Sequence, residues 1–152
     1  MDDLRSADFD LANFLPYLLN QAAEAASAQF QASYRGEYGM LRTEWRVLVH
    51  LGLYGDMNAT ELGRRSKTHK TKISRAVAAL QAKRFLVRRE NAEDRRSELL
   101  TLSRAGREAF VRLCERARRY NKKLAAMFAP ADYDVLVRCL NELTRQLESD
   151  RR

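Results

Sequence analysis

The sequence is poor in residues that break helices and in residues that build metal sites. Its 152 residues include only six Gly, two Pro, two His and two Cys. Few helix breakers in a chain that is 45% apolar indicate a globular and strongly helical protein. Cys114 and Cys139 stand far apart, without CxxC spacing or a neighbouring His. We therefore expect two reduced core cysteines and no metal site.

Other absences exclude whole classes of protein. No stretch approaches the roughly 18 to 20 apolar residues that cross a bilayer. The acidic start, MDDLRSADFD, lacks the basic and apolar regions of a signal peptide. A Gly-rich phosphate loop and a convergent set of His, Cys and paired acids are also missing, which excludes the common enzyme sites. We expect a cytoplasmic protein that is neither an enzyme nor a membrane protein and has no cofactor.

Positive charge is plentiful, and it is concentrated in one segment. The formal net charge of the chain is +8. Residues 64–96 contain twelve Lys or Arg against three acids, while the rest of the chain is nearly neutral. A solvated surface usually mixes both signs, whereas a basic patch confined to a short segment is typical of nucleic-acid binding.

The spacing of apolar residues in the first half of the chain predicts helices. A long helix is expected over 8–33, with a kink at Pro16. Thr43 is placed to cap a short second helix. Asn58, followed by Glu61 three residues later, has the spacing of a capping box and predicts the start of a third.

A fourth helix is predicted from Lys70 to Lys83, capped by Thr68 or His69, after which the period of the pattern changes. The segments 85–90 and 97–103 are strand-like and are joined by a short polar loop, which predicts a β-hairpin. Two long helices follow over 104–149. The predicted fold class is mainly α with a small β-hairpin.

The fourth helix carries donor groups on the face that points away from the core. With Ile73 taken as the inward direction, Thr71 and Arg75 point outward, flanked by Lys72 and Ser74. Arg can bind the O6 and N7 of guanine, and hydroxyls can reach bases or phosphates. An ordinary basic surface helix is the alternative, but it does not account for the capped helix before it or the basic hairpin after it.

The loop of the hairpin carries Arg95 and Arg96. Arg is drawn to the concentrated negative potential of the narrow minor groove of DNA. Asp94 beside them would oppose phosphates, so we expect it to pair with Arg96 and shape the loop. The sequence thus predicts a helix-turn-helix followed by a wing.

Four segments together carry a family resemblance: WRVL, TELGRRS, HKTKISRAVAAL and VRRENAEDRRSELLTLSRAG. They resemble the MarR-type (multiple antibiotic resistance) winged-helix transcription regulators, over nearly the whole chain. The resemblance implies one domain, 1–152, with a winged helix-turn-helix lobe at 43–103 and dimerisation helices at 8–33 and 104–149. It implies a homodimer on an inverted-repeat operator in double-stranded DNA, with recognition helices in successive major grooves and wings in the flanking minor grooves.

The resemblance also implies roles for individual residues. The DNA-reading positions of the recognition helix are Lys70, Thr71, Lys72, Ser74 and Arg75. The wing motif is Asp94, Arg95 and Arg96. Additional phosphate contacts are expected from Arg64, Arg65, Lys67, His69 and Arg88.

Two positions depart from the family pattern. The Gly that usually ends the recognition helix is Arg84 here. The turn before that helix usually carries an apolar residue and Gly, where this chain has Ser66, Lys67 and Thr68. The geometry of both turns is therefore open at this point.

The resemblance further implies a repressor that a small aromatic or anionic effector releases. Trp45, Arg46 and His50 lie on the helix that would line the effector pocket, although core packing of Trp45 and His50 and a surface salt bridge of Arg46 are alternatives. No Cys precedes Cys114, so a peroxide sensor is not expected. The alternative function is a winged-helix module for protein or RNA contact. Protein contact would not need the concentrated charge, and RNA contact usually needs stacking aromatics, which 64–84 lack.

Overall fold

The computed structural model describes residues 9–151, and their architecture confirms the predicted class, mainly α with a small β-hairpin. The elements in chain order are a 3-10 turn at Leu11–Asn13, α1 (Leu15–Tyr38), α2 (Arg42–Tyr54), α3 (Ala59–Ser66), α4 (Lys70–Ala82), β1 (Leu86–Glu90), β2 (Glu98–Leu102), α5 (Arg104–Ala125) and α6 (Pro130–Ser149). None of the helices in this part of the chain is long and apolar enough to span a membrane.

The described elements separate into two compact units. The first ends at Phe110 and holds α1 to α4, both strands and the start of α5. The second begins at Val111 and holds the rest of α5 together with α6, which Tyr133 links to α5 by donating its hydroxyl to Asn121 Oδ1 at 3.3 Å. Cys139 is exposed, so the prediction that it packs in a core is wrong.

Three helix boundaries differ from their predicted positions. Pro16 lies in the first turn of α1, where its missing N–H costs no hydrogen bond, so the predicted kink is wrong. The helix continues until Gly39, whose φ of 60° is left-handed and stops it. Helix α2 begins at Arg42 with Leu41 at its N-cap, so Thr43 lies within the first turn and does not cap it.

Other predicted helix starts are confirmed. Asn58 Oδ1 accepts a hydrogen bond from the backbone N–H of Glu61 at 2.8 Å, at the start of α3. Ser103 Oγ accepts one from the backbone N–H of Gly106 at 3.0 Å, at the start of α5. Each cap satisfies a donor that the first turn of a helix leaves without a partner. Pro130 is the first residue of α6, as predicted.

Helices α2, α3 and α4 pack together beside the two-stranded sheet, and their apolar faces form the core of the first unit. Strands β1 and β2 pair antiparallel from Leu86 opposite Leu102 to Glu90 opposite Glu98. A further bridge joins Met57, just before α3, to Leu100 in β2. The buried core side chains of these elements include Val47, Leu48, Leu51, Leu62, Ile73, Val77, Leu80, Leu86 and Leu100.

The start of α5 approaches the chain that enters β1 very closely. A Cβ atom at Gly106 would collide with the backbone carbonyl oxygen of Phe85. The same carbonyl accepts a hydrogen bond from the backbone N–H of Ser103 at 3.0 Å. Only glycine allows this approach, which joins the helix after the hairpin to the turn before it.

Candidate nucleic-acid interface

Helix α4 presents its donors on one side, as its sequence pattern predicts. Its buried face consists of Ile73, Ala76, Val77 and Leu80, which pack toward α2 and α3. The five predicted DNA-reading residues are all exposed: Lys70, Thr71, Lys72, Ser74 and Arg75. One end of the helix therefore displays two lysines, an arginine and two hydroxyls to solvent.

The turn before α4 keeps its shape although it lacks the usual apolar residue and glycine. Ser66 is buried and donates its hydroxyl to the carbonyl of Leu62 at 2.7 Å, so a satisfied polar side chain takes the apolar position. Lys67 adopts a left-handed conformation with φ of 51°. His69 then caps α4, because its Nδ1 accepts a hydrogen bond from the backbone N–H of Thr71 at 3.2 Å.

The end of α4 likewise keeps its turn without glycine. Arg84 is left-handed, with φ of 62°, and its backbone N–H bonds to the carbonyl of Gln81 at 2.9 Å. Just before it, Lys83 Nζ lies 2.9 Å from the buried carboxylate of Glu44 in the first turn of α2. This ion pair attaches the C-terminal end of α4 to α2.

The wing loop between β1 and β2 is held by local hydrogen bonds. Asp94 Oδ1 accepts a hydrogen bond from the backbone N–H of Arg96 at 3.0 Å. Asp94 therefore shapes the loop through the backbone, and not through the predicted pairing with the guanidinium of Arg96. Arg95 and Arg96 are exposed, which leaves both guanidinium groups at the tip of the hairpin.

Two predicted phosphate contacts are ion-paired to the same acid. Arg64 and Arg65 each lie 2.7 Å from Glu61 Oε1. The hydrogen bonds from Arg64 and then Arg65 lower the pKa of Glu61 to about 2. Both arginines remain largely exposed at the end of α3.

Arg88 and Arg89 on β1 connect the hairpin to neighbouring elements. Arg88 donates to Gln81 Oε1 on α4 and to Glu98 Oε2 on β2, both at 3.1 Å. Arg89 Nη2 lies 2.6 Å from Asp56 Oδ2, in the turn between α2 and α3. A hydrogen bond from Thr101, followed by one from Arg89, lowers the pKa of Asp56.

The comparisons with known proteins agree with this geometry. The model of the MarR family matches residues 38–97. The structure of the MarR family transcriptional regulator SPO1453 from Silicibacter pomeroyi is 29% identical, covering 92% of this chain and 99% of that one with a TM-score of 0.80. The chain belongs to the MarR family of transcriptional regulators.

More distant structures share the fold of this MarR-family chain. The MarR/EmrR family transcriptional regulator from Acinetobacter sp. ADP1 is 22% identical, with coverage of 93% and 99% and a TM-score of 0.82. Bordetella bronchiseptica BpsR, whose DNA binding 6-hydroxynicotinic acid regulates, is 19% identical, with coverage of 90% and 96% and a TM-score of 0.80. No curated protein matches the sequence.

The three predicted effector residues of the MarR-family chain have different surroundings. Trp45 is half-buried and packs with Phe30 and Tyr34, at ring-centroid distances of 5.6 Å and 6.2 Å. His50 Nδ1 lies 2.6 Å from the carbonyl oxygen of Arg46. Arg46 itself is exposed and forms no ion pair within residues 9–151. Trp45 therefore has the packing contacts of a core residue, while the guanidinium of Arg46 is available to an anion.

Thr60 is a potential functional residue that the sequence analysis did not identify. It lies in the first turn of α3 and lines an open groove together with Ser74 of α4. The one signal in the sequence is its place two residues after the Asn58 cap, at the edge of the basic segment. Three-dimensional proximity to α4 was needed to relate it to the site.

Proposed function

We propose that this MarR-family chain is a sequence-specific regulator that binds double-stranded DNA as a homodimer. Helix α4 enters the major groove and the wing enters the adjacent minor groove. One observation carries the proposal: the donors from Lys70 to Arg75 are exposed opposite a buried apolar face, while Arg95 and Arg96 are exposed at the hairpin tip. Donors on a helix suit base edges, and arginines on a thin hairpin suit the narrow groove.

The dimer is inferred from apolar surface. Helix α6 exposes Val135, Leu136, Val137, Leu140 and Leu147. An exposed stripe of this kind is characteristic of a protein–protein interface. A two-fold dimer would require an inverted-repeat operator with half-sites about one helical turn apart. A monomer by light scattering at micromolar concentration would contradict this part of the proposal.

The regulation that we propose is repression relieved by a small aromatic or anionic effector. The precedent is BpsR, in which 6-hydroxynicotinic acid regulates DNA binding. In this chain the exposed guanidinium of Arg46 would bind the carboxylate, beside Trp45 and His50. We place the protein in the cytoplasm, where the operator is, and expect no enzymatic activity.

Two single substitutions test which residues read bases. Arg75→Ala removes a base-edge donor, so it should weaken binding to a selected operator by about 1–3 kcal/mol and relax preference at one position per half-site. Arg95→Ala removes a groove and phosphate contact, so it should weaken operator and scrambled duplexes alike and lower the salt slope by about 0.9. Titrations at several salt concentrations measure both effects.

The control for these variants is Arg119→Ala, which removes one exposed cation from α5 outside the basic segment. It should change neither base preference nor affinity appreciably. If Arg75→Ala weakened both duplexes equally while Arg95→Ala changed base preference, the two roles would be reversed. If an RNA of the same sequence, or a protein, competed fully with the duplex, the alternative RNA or protein module would replace the proposal.

A further inference from the structure

An open groove of about 250 Å³ lies between α3 and α4, beside the predicted DNA-reading residues. Gly63 and the buried side chain of Ile73 form its floor. Thr60, Lys70 and Ser74 line it and are exposed, so they form its rim. The groove thus has an apolar base and a polar, basic margin.

The floor of the groove depends on a close approach of two backbones. A Cβ atom at Gly63 would lie 3.2 Å from the carbonyl oxygen of Thr68. That approach is maintained by the backbone N–H of Thr68, which bonds to the carbonyl of Gly63 at 3.0 Å. The Thr68 hydroxyl is also used internally, because it donates to the carbonyl of Ser66 at 3.1 Å.

The donors on the rim have no such internal partners. Within residues 9–151, neither the Thr60 and Ser74 hydroxyls nor the Lys70 ammonium forms a hydrogen bond or ion pair with the rest of the chain. No acidic side chain lines the groove. Glu61, next to Thr60 in sequence, is already paired with Arg64 and Arg65. The margin therefore offers one cation and two hydroxyls to an anionic ligand.

We propose that each subunit binds one sugar–phosphate unit of the DNA backbone in this groove. The deoxyribose packs on Gly63 and Ile73, while the phosphate oxygens accept hydrogen bonds from Thr60, Ser74 and Lys70. This inference rests on the proposed DNA binding and adds Thr60 of α3 to the contact surface. It is a contact that positions the protein on the duplex without reading sequence, since every nucleotide carries the same sugar and phosphate.

The test combines hydroxyl removal with a neutralised phosphate. The probe is a labelled duplex of the selected operator, in which single phosphates are replaced one at a time by uncharged methylphosphonates. Thr60→Val keeps the shape of the side chain and removes its hydroxyl. We expect it to weaken operator and scrambled duplexes by the same factor, about tenfold, as for the loss of one hydrogen bond to a charged group. Ser74→Ala should show the same coupling to the neutralised phosphate.

Coupling between the two changes identifies the contact. For the wild-type protein, one neutralised phosphate per half-site should weaken binding at the groove. For Thr60→Val that same replacement should cost much less, because the hydrogen bond is already gone. The matched control is Thr43→Val, which removes a hydroxyl from α2 outside the groove and should leave the methylphosphonate pattern unchanged.

Several outcomes would overturn the inference. Unchanged affinity of Thr60→Val, or additive losses at every neutralised phosphate, would show that the groove does not contact the backbone, although the wild-type protein binds the duplex. Millimolar inorganic phosphate that shifts the backbone resonances of the groove as the duplex does would make it a free-anion site. Failure of the wild-type protein to bind any duplex would instead refute the proposed function itself.

Discussion

The ion pair between Glu44 and Lys83 should respond unequally to loss of its two partners. The carboxylate and the ammonium lie 2.9 Å apart, but the side chain of Glu44 is only 6% exposed whereas that of Lys83 is 31% exposed. Loss of Lys83 leaves a buried carboxylate without its cation. Loss of Glu44 leaves an ammonium that water can reach. The first change should therefore destabilise the protein more than the second.

The magnitudes follow from that difference in burial. Removal of one partner from a fully buried pair costs about 3–5 kcal/mol. Glu44 lies in the first turn of α2, where the helix dipole offsets its charge by about 0.5 kcal/mol, and water reaches part of the pair. We therefore expect Lys83→Met to lower the free energy of unfolding by about 2–3 kcal/mol. Glu44→Gln keeps an acceptor for a hydrated ammonium and should cost about 1 kcal/mol.

Urea unfolding at neutral pH measures both values. Lys83→Met keeps an apolar stem, so the loss reports the charge and not the packing of the methylenes. In the double variant, Glu44→Gln with Lys83→Met, much of the cost of Lys83→Met should disappear, because no charge remains buried. Equal losses for the two single variants, or a neutral Lys83→Met, would refute the argument that unequal burial determines the response.

Three further predictions concern the backbone and the wing. Arg84→Gly should stabilise the protein by up to about 1 kcal/mol, because it removes left-handed strain of about 1–2 kcal/mol and regains only part of that as chain entropy; Arg84→Ala, which keeps the strain, should show no gain in urea unfolding. Asp56 has a lowered pKa, so the stability that it contributes is present above its unfolded pKa and is lost as the pH falls through its folded pKa. Asp56→Asn should therefore be less stable at neutral pH and lose less on acidification, and an unchanged acid profile would contradict its role. Gly106→Ala should cost about 3 kcal/mol in the same assay, because its Cβ would meet a backbone carbonyl that cannot rotate away, and wild-type stability would refute that contact.

Local features of the site were predictable because they depend on residues close in sequence. The inward face of α4 follows from the helical period, and the Asn58 cap from its spacing to Glu61. The burial of Ile73 opposite the exposed Arg75 confirms that reasoning. Two local predictions were wrong, at Pro16 and Thr43, because both residue types are also tolerated in the first turn of a helix.

The effective charge of the segment 64–96 could not be read from sequence. At least five of its twelve basic side chains are ion-paired, namely Arg64, Arg65, Lys83, Arg88 and Arg89. The acids that pair with them lie outside the segment; Asp56, for example, is 33 residues away from Arg89. Counting charges along the chain therefore overstates the positive field, because the fold brings distant carboxylates to it.

The left-handed turns at Lys67 and Arg84 show a second limit of sequence reasoning. Both positions lack the glycine that such turns favour, and the chain forms them nevertheless. Hydrogen bonds made by neighbouring backbone groups hold each turn, and the packing of α3, α4 and β1 determines where those groups lie. A local pattern cannot reveal that tertiary structure tolerates this strain.

The contacts of Arg88 have a consequence for the mechanics of recognition. Because this side chain bonds at once to α4 and to β2, the helix and the hairpin move as one body with a set angle between them. For a duplex partner, little conformational freedom is lost in aligning the two elements. The distance between the grooves must then adapt to the protein, so base steps that neither element touches would influence affinity through the energy needed to bend and twist them.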